Sequence, residues 1–578
     1  MKRKYIILIL ILAMIGTWDS CKKSFLTVAP TGSLDQELLQ SSKGLDALLI
    51  GTYSMIDGVS SQFGSGWETT ASNWVFGSIR GMEANKGTDG GDQSDINPLQ
   101  TFSETSTNPF LNFKWREVYE AISRCNNLIT ITTQTLANGK ITQDQADSYI
   151  TQAKVLRGWF HFEAWRMWNK IPYLDETTDL NTVKNDVDVR PMILADLNAG
   201  VNLPDNMGLI GKFNGTVAKV LAAKAMMDMY RDYAGALPLL TAAKGGTKPD
   251  GSAIGLAPTY GEIFDIVNRN GIEAIYTVQY SVNDGSGAWN AGAGEVLNFP
   301  YKSGGSPGGC CGFFDPTQEF VNSFRTSGGL PLLDFSYNND PVKSDYGLAP
   351  TDPFTTDNGP LDPRLDWSVG RRGIPYWDWG LHTGSDWIRD QTYSGPYNPK
   401  KQVYKKSEEG INTDISSWTS GYTANGYRMI RYADLLLMLA ECQIETGDLG
   451  SARTNINLIR ARAANSAGWV KMDDGTNAAN YVINEYTSTG YPFDTQANAR
   501  LALCMERKLE LGLEGHRYFD LNRWGITVTE LNRALAYEKT MPWGSNLYGD
   551  ANVGAEDVTY PIPQRQIDLS QGNLVQNR

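Results

Sequence analysis

Residues 430–444 read IRYADLLLMLAECQI, apolar on nearly every face of a helix, which predicts a segment covered on more than one side. Gly447-Asp448 breaks the run. Leu449, Ala452, Ile456, Ile459 and Ala463 then recur at intervals of three and four, with Arg453, Asn455, Asn457, Arg460 and Arg462 on the opposite face. The pattern is a helical hairpin, with small Ala440 and Ala452 where two antiparallel helices approach closely. A tetratricopeptide unit packs in this way, although its usual glycine and closing proline are absent here. Such a unit buries its flanks only against further units.

Others are present. Leu45, Leu48, Leu49, Thr52, Tyr53 and Ile56 mark a helix, and its partner over 110–131 follows a stretch, 58–109, rich in Gly, Ser, Asn and Asp with no steady period. That stretch reads as a long loop insertion. Helices over 147–168 and 191–202 form a second pair, and helices over 216–230 and 234–243 a third. With the hairpin at 427–464 there are about four pairs, so the predicted fold is mainly α, a right-handed tetratricopeptide-like solenoid. Residues 245–426 differ: 274–280 alternates like a strand, and the remainder is punctuated by Gly, Pro and Asp with short helices such as 316–324. This predicts an irregular, loop-rich lobe with few strands. A helix over 496–513 returns to the helical layer. The organisation read from the chain is a leader over 1–20, a helical part with its insertion over 21–244, the lobe over 245–426, and a closing helical part over 427–578.

Charge and cysteine usage narrow the class. The net charge is −13, with no basic stripe of the kind a nucleic-acid groove needs, so nucleic acid is not expected as a partner. Lys2-Arg3-Lys4, an apolar run over 5–15 and Ser20-Cys21 form a secretory leader too short to span a membrane. Ser20-Cys21 matches the end of a bacterial lipobox, with Trp18 and Asp19 in place of the usual apolar and small residues, which makes Cys21 the expected lipidation site. Cleavage there leaves a mature charge of −15. Cys125, Cys442 and Cys504 lie in helical patterns as small apolar residues. For Cys310-Cys311, in GGSPGGCCGFF, a bonded pair and two free thiols are equally open.

Several segments together resemble the SusD/RagB family of surface lipoproteins. They are MERKLELGLEGHRYFDLNRWG over 505–525, YPIPQRQIDLSQGN over 560–573, the hairpin with its IRARA end, DPRLDWSVGRRGIPYWDWG over 362–380, and CKKSFLTVAPTGSLD over 21–35. The resemblance implies four tetratricopeptide-like pairs supporting an irregular lobe, a glycan held by exposed aromatics, and a SusC-like TonB-dependent transporter as partner. It further implies attachment outside the outer membrane through a lipid anchor.

Sugar recognition needs flat aromatic faces for the C–H patches of a pyranose and a few polar groups for its hydroxyls. Two loop regions offer these. The first, 64–96, has Trp67 with Asn85, Lys86, Asp89, Asp92 and Gln93; the second, 287–389, has Trp289, Arg372, Tyr376, Trp377, Trp379 and Trp387. Burial in the lobe is the competing account of each tryptophan, and two or three of them facing solvent together is the expectation. Asp89, Asp92 and Asp95 offer oxygens to Ca2+, but their spacing is not that of an EF-hand; a solvated acidic loop is the better reading, and no cofactor is expected. Glu506, Glu510, Glu514, His516 and Asp520 invite an acid–base reading. An ion network of Glu506 and Glu510 with Arg507, Arg517 and Arg523, docking the last helix on the solenoid, explains them better. His161 lies among aromatics and reads as core. The expected function is therefore non-enzymatic capture of an oligosaccharide or polysaccharide. The alternatives are capture of a peptide or another nutrient, and a surface glycoside hydrolase, since acidic pairs are plentiful.

Overall fold

The computed structural model describes residues 36–58, 66–301, 305–488 and 490–578. The leader over 1–20 and Cys21 lie outside the described residues.

The longer helices are α1 (Ser42–Tyr53), α2 (Pro109–Ala137), α3 (Gln143–Trp168), α4 (Arg190–Asn198), α5 (Gly215–Tyr230), α6 (Tyr233–Lys244), α7 (Tyr432–Glu445), α8 (Leu449–Ala463), α9 (Gln496–Leu511), α10 (Arg517–Trp524) and α11 (Thr527–Glu538). Each of α1 to α6 packs on the next, α6 packs on α7, and α7 on α8 and α9. Four antiparallel pairs thus stack in the order α1/α2, α3/α4, α5/α6 and α7/α8. Local chemistry sets the helix starts: Asn108 caps α2 ahead of Pro109, and Thr142 and Gln145 form a reciprocal capping box on α3. Gly158 permits the close approach of α3 to α4, because a Cβ there would lie 2.9 Å from the Asp196 Cβ. Helix α7 is buried from Ala433 through Cys442, covered by α6, α8 and α9, which is what its all-round apolar sequence demands. No described helix is long and apolar enough to cross a membrane.

The irregular lobe leaves the array after α6 and returns at α7. Its neck is a short antiparallel pair, β1 (Ala274–Tyr276) with β6 (Ile430–Arg431). Two further small antiparallel pairs lie inside it: a hairpin of β2 (Thr326–Ser327) with β3 (Leu330–Pro331), and β4 (Val369–Gly370) with the more distant β5 (Asn398–Pro399). The strand predicted over 274–280 is therefore shorter than its alternation, and Ile430-Arg431 belongs to a strand before the helix begins.

The stretch over 58–109 is not a loop insertion throughout. Trp74–Ile79 is a turn of π-helix, wholly buried, and residues 71–88 are buried apart from Ala71. The side-chain-free Gly77 lies against Gly515, where a Cβ would meet the Gly515 carbonyl oxygen at 1.9 Å. Arg80, fully buried, pairs with Glu104 at 2.6 Å and stacks on Phe102 and Tyr560 at 4.6 and 4.7 Å. Polar composition hid a core segment because its polar groups find partners inside.

The lobe is fixed to the helices by buried charge. Arg364, Lys401, Arg431, Arg460 and Arg462 interlock with Glu273, Asp362, Glu506, Glu510 and Glu514 in a continuous set of ion pairs. Glu506 and Glu510 do form a buried network, but not with Arg507, Arg517 and Arg523. Those three pair with Asp434 and Asp520, with Glu530, and with Glu441, Asp228 and Asp520 respectively. The reason lies in helix geometry: α9 turns Glu506 and Glu510 toward the lobe and the end of α8, while Arg507 faces α7 and α10.

Candidate functional site

The two loop regions singled out by sequence meet. The segment after the π-helix docks on the 312–316 segment through bridges Ala84↔Pro316 and Gly87↔Phe313, with Phe314 donating its N–H to the Lys86 carbonyl at 2.8 Å. This brings Asp89 and Asp92 to Arg389. Its guanidinium is 2.9 Å from Asp89 Oδ2 and 2.5 Å from Asp92 Oδ2, donates to Thr88 Oγ1 at 2.8 Å, and lies 5.2 Å from the centre of the Tyr301 ring. Lys86 Nζ donates to the Asp89 and Asp92 carbonyls at 2.7 and 2.6 Å, knitting the acidic turn from within. Burial lowers the Lys86 ammonium to about 8 against the pull of both carboxylates. Partial burial pushes the Asp89 carboxyl up, but N–H groups of Asp92 and Gly91 together with Arg389 outweigh it, and it sits below the usual carboxylate range.

The lobe also presents open aromatic surface. Trp289 is 46% exposed, on a loop tied to the 410–423 segment: Asn283 N–H donates to Asp414 Oδ2 at 3.0 Å and Gly292 N–H to the Thr423 carbonyl at 2.9 Å. That neighbouring segment carries Trp418, 55% exposed, whose Nε1 donates to the Tyr422 hydroxyl at 2.9 Å, and exposed Ile411 and Ile415. The two strapped loops thus carry four exposed apolar side chains, Trp289, Ile411, Ile415 and Trp418. Trp379, half-buried, donates to the Tyr404 carbonyl at 2.9 Å, and the Tyr404 hydroxyl meets Ser420 Oγ at 2.8 Å, so the 376–380 turn abuts the same segment.

The remaining sequence-selected residues divide. Trp67 is half-buried and donates to Gln93 Oε1 at 3.3 Å; Trp377 is half-buried and donates to the Lys400 carbonyl at 3.3 Å. Four others are corrected to interior roles. Asn85 is fully buried, donating to the Ser394 carbonyl and accepting from Gly87 N–H, so it shapes the turn. Arg372 donates to the carbonyls of Ala349, Pro350 and Asp352 and holds the 349–352 loop. Tyr376 is fully buried with its hydroxyl on the Pro399 carbonyl, and Trp387 packs edge-on against it at 5.4 Å. The hairpin around Trp377 turns Tyr376 inward, where it forms a small core with Phe299, Val403 and Tyr404.

Sequence reasoning missed Trp418, Tyr422, Tyr301 and Arg389. Trp418 carries a usable signal, an indole in DISSWTSGYT, a run otherwise rich in Ser, Thr and Gly. Arg389 carries none, since its partners lie some three hundred positions earlier. The Cys310 and Cys311 sulfurs are bonded to each other. Each histidine is buried: His161 between the Arg157 carbonyl and Leu174 N–H, His382 beside Asn398, and His516 beneath Lys224 and Asp434. None reaches the exposed aromatics, which removes the commonest general base from this face.

A family model described as the SusD family matches residues 272–578. A curated relative, SusD-like protein P25 of Formosa agariphila, is 29% identical over 161 residues, covering 28% of this chain and 25% of that protein. The chain thus aligns with only a quarter of that relative's length. Among solved structures, a SusD superfamily protein from Bacteroides vulgatus superposes with a TM-score of 0.62 at 18% identity, covering 93% of this chain and 98% of that one. Surface glycan-binding protein A from Bacteroides thetaiotaomicron, in complex with laminarihexaose, superposes with a TM-score of 0.64 at 20% identity, covering 93% and 99%.

Proposed function

We propose, from the premise that this chain belongs to the SusD family, that it captures a glycan on the exposed aromatic face of its irregular lobe and passes it on without cleaving it. The observation that carries the reading is that Trp289 and Trp418, both exposed, stand on loops strapped together by Asn283 and Gly292. Indole faces cover the C–H patches of a pyranose, and the nearby amides and hydroxyls suit its hydroxyls. A structural relative that holds laminarihexaose supports the choice of glycan over peptide as ligand class. Binding without catalysis is supported by the site's geometry: Asp89 and Asp92 are both tied to one cation, Arg389, and together fix the turn. Transfer to a SusC-like TonB-dependent transporter at the outer membrane, with Cys21 lipidated, completes the proposal as the family implies it.

The experiment is calorimetry of the protein against a panel of soluble polysaccharides that includes laminarin. Trp289→Ala and Trp418→Ala are each expected to weaken binding about fivefold to thirtyfold, from about 1–2 kcal/mol per stacked ring. Full-affinity binding by the double variant, or release of shorter sugars during incubation, refutes the reading.

A further inference from the structure

The Cys310–Cys311 disulfide lies between the two halves of the aromatic face. On one side Gly308 accepts from Thr419 Oγ1, the residue beside Trp418, and donates its N–H to the Tyr404 hydroxyl at 3.0 Å. On the other, Gly312 is pressed against Tyr301 and Arg389; a Cβ on it would sit 3.1 and 3.5 Å from theirs. Gly308, Gly309 and Gly312 all have left-handed backbone, at φ 72°, 66° and 75°, so the segment is shaped by glycine on both flanks. Cys311, 6% exposed, packs into the main core, while Cys310 is half-buried and keeps an outer side toward solvent.

Stability does not account for this bond. A disulfide stabilises chiefly by closing a chain loop in the unfolded state, and adjacent residues close none. Hydrogen bonds from Cys311 and Gly312 to the Leu297 and Phe299 carbonyls already hold the segment. What the bond changes is surface shape: two separately rotating thiols, each a weak S–H donor, become one fixed, compact, polarizable plate with no donor. Tyr301 lies alongside, with the Arg389 guanidinium near its ring and no hydrogen-bond partner for its hydroxyl among the described residues.

We propose that the Cys310–Cys311 disulfide is itself a ligand contact, a plate on which the C–H face of a pyranose packs while the Tyr301 hydroxyl meets a sugar hydroxyl. It joins the Trp418 side to the Arg389 clamp as one continuous binding surface. The inference rests on the glycan-binding reading above.

The test uses whichever polysaccharide of the panel the full chain binds. Reduction of the disulfide by a phosphine is followed by thiol alkylation and mass, with and without that polysaccharide at about ten times its Kd. Only about a tenth of the protein is then unbound, so reduction is expected to slow about tenfold. Separately, Cys310→Ser/Cys311→Ser is expected to lose about fivefold to tenfold in affinity, equivalent to about 1–1.4 kcal/mol. An unaltered reduction rate in the presence of bound polysaccharide overturns the inference and leaves the glycan reading standing, and it does so even where the serine variant fails to fold. Absence of any polysaccharide binding by the unmodified chain removes both.

Discussion

Replacing Glu510 with glutamine tests whether buried charge holds the lobe to the helices. Glu510 is fully buried, with Oε1 3.0 Å from Arg431 Nη1 and 2.6 Å from Arg462 Nη2, and Oε2 3.3 Å from Arg364 Nη1. Glutamine keeps the shape and removes the charge, leaving three buried guanidinium groups short of one counter-ion. Breaking a buried pair from one side costs about 3–5 kcal/mol, because the stranded charge keeps its full desolvation penalty. For a chain of this size the corresponding fall in Tm at pH 7 is about 3–5 °C. The pH dependence supplies a sharper check. Burial pushes the Glu510 carboxyl up, yet Arg462, Arg431 and Arg364 together hold it well below the usual range. A depressed carboxylate contributes stability that is complete above its unfolded value of about 4.3 and is lost as pH falls toward the folded value. The gap between wild type and Glu510→Gln, measured by calorimetry and denaturant unfolding, is therefore expected to shrink below pH 4.3 and to be about 2 kcal/mol smaller at pH 3. A Tm change under about 1 °C at pH 7, or a gap that stays constant from pH 7 to 3, refutes the argument.

Two further outcomes follow from burial. Glu538 is fully buried, and desolvation raises its carboxyl to about 8 despite the Glu319 N–H it accepts. Its contribution is present below about pH 4.3 and is lost as pH rises to 8, so Glu538→Gln is expected to gain about 3–5 kcal/mol on wild type between pH 4 and 9, read as Tm against pH. Trp387→Ala is expected to lower stability by about 3–5 kcal/mol, measured by denaturant unfolding, with glycan affinity of the folded protein unchanged; loss of affinity without loss of stability contradicts its placement in the core.

The helical array was legible because each helix states its own burial. The unbroken apolar run in α7 requires cover on several sides, and α6, α8 and α9 provide it. The segment over 74–88 was illegible for the opposite reason. Its Gly, Ser, Asn and Arg80 look like a solvated loop, and only partners distant in sequence, such as Glu104, Tyr560 and Gly515, make it core. Alternation over 274–280 reported a buried face and not a length, since β1 extends only as far as Ile430 and Arg431 pair with it. At the candidate site, residue type identified aromatics but not their direction. Tyr376 and Trp379 are three apart in one turn, and the first faces the small lobe core while the second lies half-exposed beside Tyr404. Trp289 was found and Trp418 overlooked, although both stand in Gly- and Ser-rich loops and residue type alone does not separate them.

The pairing of β1 with β6 has an evolutionary consequence. Because Ala274 and Arg431 meet at a clasp, the chain enters and leaves the lobe at one point of the helical frame. Insertions or deletions in the intervening loops shift neither α6 nor α7, and the entropy of a longer excursion grows only logarithmically with its length. Loop exchange within the lobe would therefore alter its exposed aromatic face and leave the helical scaffold unchanged.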